Sequence, residues 1–163
     1  NQGENVHQHL DLIAGLPYED MESFQKSFDD VYRLHPEQLQ LGFLKVLKGS
    51  YMESQKERYG LVYKSRPPYE VLYTKWLSYE EMMQLKSVEE MVEVYYNSGQ
   101  FSYCLRKLEE EYASPFVLYQ GLGRYYENHE LHLMSHSRIT RYEILLGFIR
   151  EKHKERELSL IHI

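Results

Sequence analysis

One cysteine among 163 residues, Cys104, excludes an internal disulfide and any Cys-x-x-Cys zinc or iron–sulfur site. A chain this poor in thiol pairs fits a reducing cytoplasm. No apolar run approaches the roughly 18 residues that a membrane span needs, so a soluble globular protein is expected, with no membrane partner. Basic side chains are outnumbered, 19 against 25, giving a formal net charge of −6 and a pI near 5.8. That balance argues against nucleic acid as a partner. The opening residues NQGENVHQ lack an initiating Met, a basic n-region and an apolar h-region, so they do not read as a signal peptide, and a fragment or processed product is expected.

What the chain has in quantity is aromatic side chain, with 16 Tyr and 6 Phe. Rings of this kind sit at helix interfaces or line pockets, and core packing is the simpler reading. The length is that of about one domain and is enough to bury a core. Its composition nevertheless shifts from strand-rich to helical near Tyr73, which places a soft boundary between 1–73 and 74–163.

His9-Leu10-Asp11-Leu12-Ile13-Ala14 is short, apolar and followed by Gly15-Leu16-Pro17, a strand running into a tight turn. From Asp20 the period changes, with Phe24, Phe28, Val31 and Tyr32 recurring at helical steps. Asp20 is the natural N-cap, and Pro36 closes the helix near Leu34. Gln38 to Leu44 then alternates, with Leu39, Leu41 and Phe43 on one face and Gln40 and Gly42 on the other. Strand, helix and strand make a βαβ unit with parallel pairing, whose sheet needs cover on both faces. An incomplete sheet also leaves edges, which must self-associate or be covered by this chain's own segments.

A short helix is expected over Met52 to Arg58 and a third strand over Tyr69 to Tyr73. Helices are expected from Ser78 to Asn97, Phe101 to Tyr112, Ser114 to Tyr126 and Ser137 to about Lys154. The expected class is α/β followed by an all-α region.

Asp11, Ile13 and Gly15 alternate onto one side of the first strand. A carboxylate accepts from ribose hydroxyls, a flat aliphatic side chain packs on a base, and glycine permits close backbone approach, so the trio can clasp a nucleoside. The alternative is a buried Asp that holds a loop N–H. His129, His132 and His136 would share a face if the helix continued through them, as in a metal site, but between helices they read as solvated or capping side chains. Cys104, beside Leu105 and Leu108, reads as a core thiol. Glu109-Glu110-Glu111 and Arg150 to Lys154 read as solvated helix faces. No metal site and no catalytic residue are expected in this chain.

The string Asp11-Leu12-Ile13-Ala14-Gly15-Leu16-Pro17, followed by Glu22-Ser23-Phe24, resembles the fifth strand and following helix of radical S-adenosylmethionine enzymes. Leu39 to Ser50 and Pro67-Pro68-Tyr69-Glu70-Val71-Leu72 are similar to the branch that carries a cobalamin-binding domain. The resemblance covers about the first third of the chain, and the helical remainder is similar to an uncharacterised domain appended to some of these proteins. It implies the last strands of a partial TIM-type barrel over 1–73, followed by a helical domain over 74–163. It further implies that Asp11 accepts from the ribose of S-adenosylmethionine, that Ile13 packs on adenine, and that Gly15 and Lys45 lie beside the nucleoside. Tyr18, Lys48 and Ser50 depart from the common residues.

The three cysteines that hold a [4Fe–4S] cluster in that family have no counterpart here, so the chain is expected to be inactive alone. Cluster, S-adenosylmethionine and, in some members, cobalamin would belong to a longer parent acting on a small-molecule or protein substrate, as a methyltransferase or other oxidoreductase. The competing expectation is a non-enzymatic helical module whose Tyr-rich faces dock a protein.

Overall fold

The computed structural model describes residues 6–161. Strand β1 (His9–Ala14) leads through α1 (Met21–Tyr32) to β2 (Gln38–Phe43), which pairs with β1 in parallel, Asp11 beside Gln40 and Ile13 beside Gly42. The helix begins as its sequence dictates. Asp20 accepts from the Ser23 N–H at 2.9 Å while the Asp20 N–H donates to Ser23 Oγ at 3.1 Å, closing a capping box. Phe24, Phe28 and Tyr32 form the buried stripe of α1, which contacts β1.

The chain then makes α2 (Tyr51–Ser54), shorter than the helix expected over Met52 to Arg58, and a hairpin of β3 (Val62–Tyr63) and β4 (Val71–Tyr73). Two expectations are corrected here. The strand expected at Tyr69 to Tyr73 is antiparallel, paired with β3 and not with the β1–β2 sheet. No crossover helix separates β3 from β4, and so short a connection joins only antiparallel neighbours. The same backbone folds against the exit of β2, where Val46 N–H donates to Tyr69 O at 2.9 Å and Val71 N–H to Leu44 O at 2.8 Å. Among the described residues there are thus two two-stranded sheets and no partial barrel.

The helical region follows: α3 (Tyr79–Met91), a π-helical turn (Val92–Asn97), α4 (Ser102–Glu109), α5 (Pro115–Asn128), a short 3₁₀ turn (Leu131–Leu133) and α6 (Arg138–Ile161). The π turn breaks the 3.6-residue period and gives three consecutive residues separate tasks. Tyr95 is buried against Phe101, Tyr96 donates its hydroxyl to Pro36 O, and Asn97 reaches β2. Aromatic packing joins α1 to α5, with Phe116 edge-on to Phe24 and Phe28 at centroid distances of 6.4 and 5.5 Å.

The chain divides into two compact units, one ending at Gly123 and the other beginning at Arg124. Within the second, the Tyr125 ring lies 4.2 Å from the His129 ring and 5.6 Å from Phe148. No described helix is long and apolar enough to cross a membrane.

Candidate functional site

The β1–β2 sheet has one packed face and one open face. Leu39 and Leu41 are buried, together with Ala14 at the end of β1, whereas His9, Asp11, Ile13 and Gln40 are exposed. Ile13 is left 46% exposed, unusual for an aliphatic residue in a parallel strand, because sheets of this kind are ordinarily covered on both sides. Asp11 and Ile13 therefore share the open face, two residues apart. The alternative of a buried Asp11 holding a loop N–H does not match its exposure.

Asp11 lines a polar groove of about 410 Å³ whose other walls include His9, Gln40, Glu89, Glu93 and Asn97. Burial pushes the Glu89 carboxyl up from its ordinary range; Lys86 opposes the rise, while Glu93 and other carboxylates add to it. A groove with this excess of acceptors suits hydroxyl or ammonium donors and repels phosphate.

Gly15 stands at the exit of β1 with φ +92°, a conformation that favours glycine, and is buried beside Leu44, Met82 and Val71. Its conformation turns the chain toward Pro17. Tyr18, also left-handed at φ 66°, rests its ring 4.7 Å from Trp76 and 5.8 Å from Tyr59. Lys45 is exposed just past β2, bridged through its backbone to Glu70. Asp11 and Ile13 are thus brought to one face, while Gly15 and Lys45 lie at the carboxyl ends of the two strands.

The two edges of this sheet differ. On the β2 side Asn97 fills the edge at Leu39, and Gln38 Nε2 donates to Asn97 O at 3.0 Å. On the β1 side no strand pairs among the described residues.

The three histidines do not converge. Helix α5 stops at Asn128, His129 binds Glu151 at 3.0 Å, and His136 Nε2 lies 2.7 Å from Leu131 O. Among the described residues no group of His, Cys, Asp and Glu is arranged to hold a metal ion. Cys104 is half-buried at the margin of α4, whose buried residues are Leu105 and Leu108.

Two acids that sequence reasoning missed have structural tasks. Asp29 is buried on α1 and accepts the Phe116 N–H at 2.8 Å, capping α5 from another helix. Glu109, read from its neighbours as part of a solvated run, takes the hydroxyl of Tyr32 instead. The signal available was an acid directly beside a buried stripe, Asp29 after Phe28 on α1 and Glu109 after Leu108 on α4.

Comparison with curated proteins finds no match to this chain. Residues 57–162, from the end of the α2 region through α6, match the family described as "Protein of unknown function (DUF4080)". The chain belongs to that family.

Proposed function

We propose that this chain completes the S-adenosylmethionine cleft of a radical S-adenosylmethionine enzyme, β1 and β2 supplying parallel strands of its partial barrel, with α3 and the π turn, whose Glu89 and Glu93 wall the Asp11 groove, as the helical cover. The observation that carries the reading is the asymmetry of the β1–β2 sheet. It is closed at β2 by Asn97 and open at β1, with Asp11 and Ile13 on the uncovered face. A barrel continued from the β1 edge would turn that face inward, and barrel ligands sit at the strand carboxyl ends, where Gly15 and Lys45 lie. Family membership also supports the reading, because this domain is often found in cobalamin-binding radical S-adenosylmethionine proteins.

The residues fit the nucleoside. An exposed carboxylate offers two acceptors to ribose hydroxyls, and the neighbouring Ile13 offers an apolar surface to adenine. They do not fit the [4Fe–4S] cluster, since Cys104 is the single thiol and a cluster needs several. The cluster cysteines and any cobalamin site belong to the rest of the parent enzyme, and no electron-transfer step is assigned to this chain. A reducing cytoplasm is the setting that suits such a parent.

The test is anaerobic reconstitution of the full-length parent with iron and sulfide, followed by reduction in the presence of S-adenosylmethionine. Release of 5′-deoxyadenosine is expected; a protein that takes up no cluster, or takes one up and releases none, overturns the reading.

A second reading is favoured by α6. Ile139, Tyr142 and Leu146 are exposed and recur at steps of three and four along it, a stripe suited to a protein partner. Replacing Ile139, Tyr142 and Leu146 together by Ser in the parent, which leaves the packing of residues up to Gly123 untouched, distinguishes the two. Turnover retained with loss of a complex favours docking, and turnover lost with the cluster retained favours the cover.

A further inference from the structure

A second cavity, of about 270 Å³, lies where α1 ends and β2 begins, between the π turn and α4. The rings of Tyr32 and Tyr96, with centroids 5.0 Å apart and planes tilted by 52°, form one wall. The Tyr32 hydroxyl donates to Glu109 and, having a single proton, accepts from the Tyr119 hydroxyl at 2.8 Å. Burial raises both phenols well above their ordinary range, so both remain neutral donors. The Glu109 carboxyl is therefore held in place at the cavity by a phenol hydroxyl.

Arg106 lines the same cavity one helical turn away, yet it does not pair with Glu109. It makes no ion pair or hydrogen bond among the described residues, whereas Lys107 and Glu110, at the same spacing on the same helix, pair at 3.7 Å. The remaining carboxylate, Glu37, is occupied by His7. The cavity thus combines a held carboxylate, an uncommitted guanidinium and two tyrosine rings. Its volume lies just below the roughly 300–1,000 Å³ of drug-sized sites.

We propose that this cavity binds an amino-acid-sized zwitterion, its carboxylate on Arg106, its ammonium on Glu109 and the tyrosine rings, and its apolar side chain against Tyr96 and Leu105. Guanidinium forks match carboxylates, and an ammonium is attracted by both a carboxylate and an aromatic face. The site lies at the amino end of β2, away from Gly15 and Lys45, and does not depend on the nucleoside reading.

The test is calorimetric or NMR titration of the protein with L-phenylalanine and L-leucine, against phenethylamine and 3-phenylpropionate, which each lack one of the charges. Saturable binding of an amino acid is expected, at least about tenfold tighter than either singly charged analogue, as loss of one charged hydrogen bond implies. Arg106→Gln should abolish the advantage over phenethylamine. Glu109→Gln, which still accepts from Tyr32, should abolish the advantage over 3-phenylpropionate. Absence of saturable binding by both amino acids, equal binding of all the probes, or discrimination that survives Arg106→Gln overturns the proposal.

Discussion

The side-chain amide of Asn97 pairs with both backbone polar groups of Leu39, accepting from its N–H at 2.9 Å and donating to its C=O at 2.9 Å. One side chain thereby does at this position what a neighbouring strand would do, and Glu93 Oε2, 2.8 Å from the same amide nitrogen, holds the group in orientation. Asn97→Ala leaves two half-buried backbone groups unpartnered and should cost about 1–3 kcal/mol in chemical denaturation. It also bares the β2 edge in addition to the open β1 edge, so light scattering should show stronger concentration-dependent association than in the wild type. A variant as stable as the wild type and no more prone to associate contradicts this role for Asn97.

Asp29 joins α1 to α5 by accepting the otherwise free Phe116 N–H, just after Pro115 opens the helix. Its charge also faces the positive end of the helix dipole. Asp29→Ala should destabilise the protein by about 2 kcal/mol, and Asp29→Asn, which keeps an acceptor but loses the charge, by less. Equal losses for the two variants in urea denaturation would remove the electrostatic part of the argument.

Glu70, with 16% of its side chain exposed, contacts Lys86 closely and Lys64 at 3.7 Å. Burial pushes its carboxyl up, but the hydrogen bond and charge of Lys86, helped by Lys64, outweigh that and hold it below the ordinary carboxylate range. A carboxyl depressed in the folded state contributes stability above its unfolded pKa, near 4.5, and loses it as the pH falls through the lower folded value. Lys86→Met removes the principal cause of the depression. The stability difference between wild type and Lys86→Met should be greatest above about pH 5 and shrink on acidification below it. A difference that stays constant between neutral pH and pH 3 contradicts the linkage.

Short-range signals in the sequence carried the first βαβ unit. The apolar run ended by Gly15-Leu16-Pro17 marks β1, alternation marks the buried Leu39 and Leu41 of β2, and Asp20 marks the start of α1. The period-two rule of a strand places Asp11 and Ile13 on one face. What was not legible depends on partners distant in sequence. Nothing local to Val62–Tyr63 announces a two-residue strand, because its pairing with Val71–Tyr73 defines it. The π turn at Val92–Asn97 hides behind an ordinary helical pattern, and only its long-range contacts show why Asn97 faces a strand edge. Glu89 and Glu93 become walls of the Asp11 groove only because α3 and the π turn lie beside β2. For the same reason Glu109 reads from sequence as part of a solvated face, and only the meeting of α4 with the end of α1 sets it beside Arg106 in a cavity.

The claim on which the functional account turns is that Asp11 holds a nucleoside on the open face of β1. Titration calorimetry of S-adenosylmethionine into the full-length parent, comparing wild type with Asp11→Asn, tests it most directly. Binding should be weakened by at least about tenfold, the loss expected when a charged acceptor of hydroxyl donors becomes neutral, with the fold unchanged by circular dichroism. Equal affinity in the two proteins would contradict it.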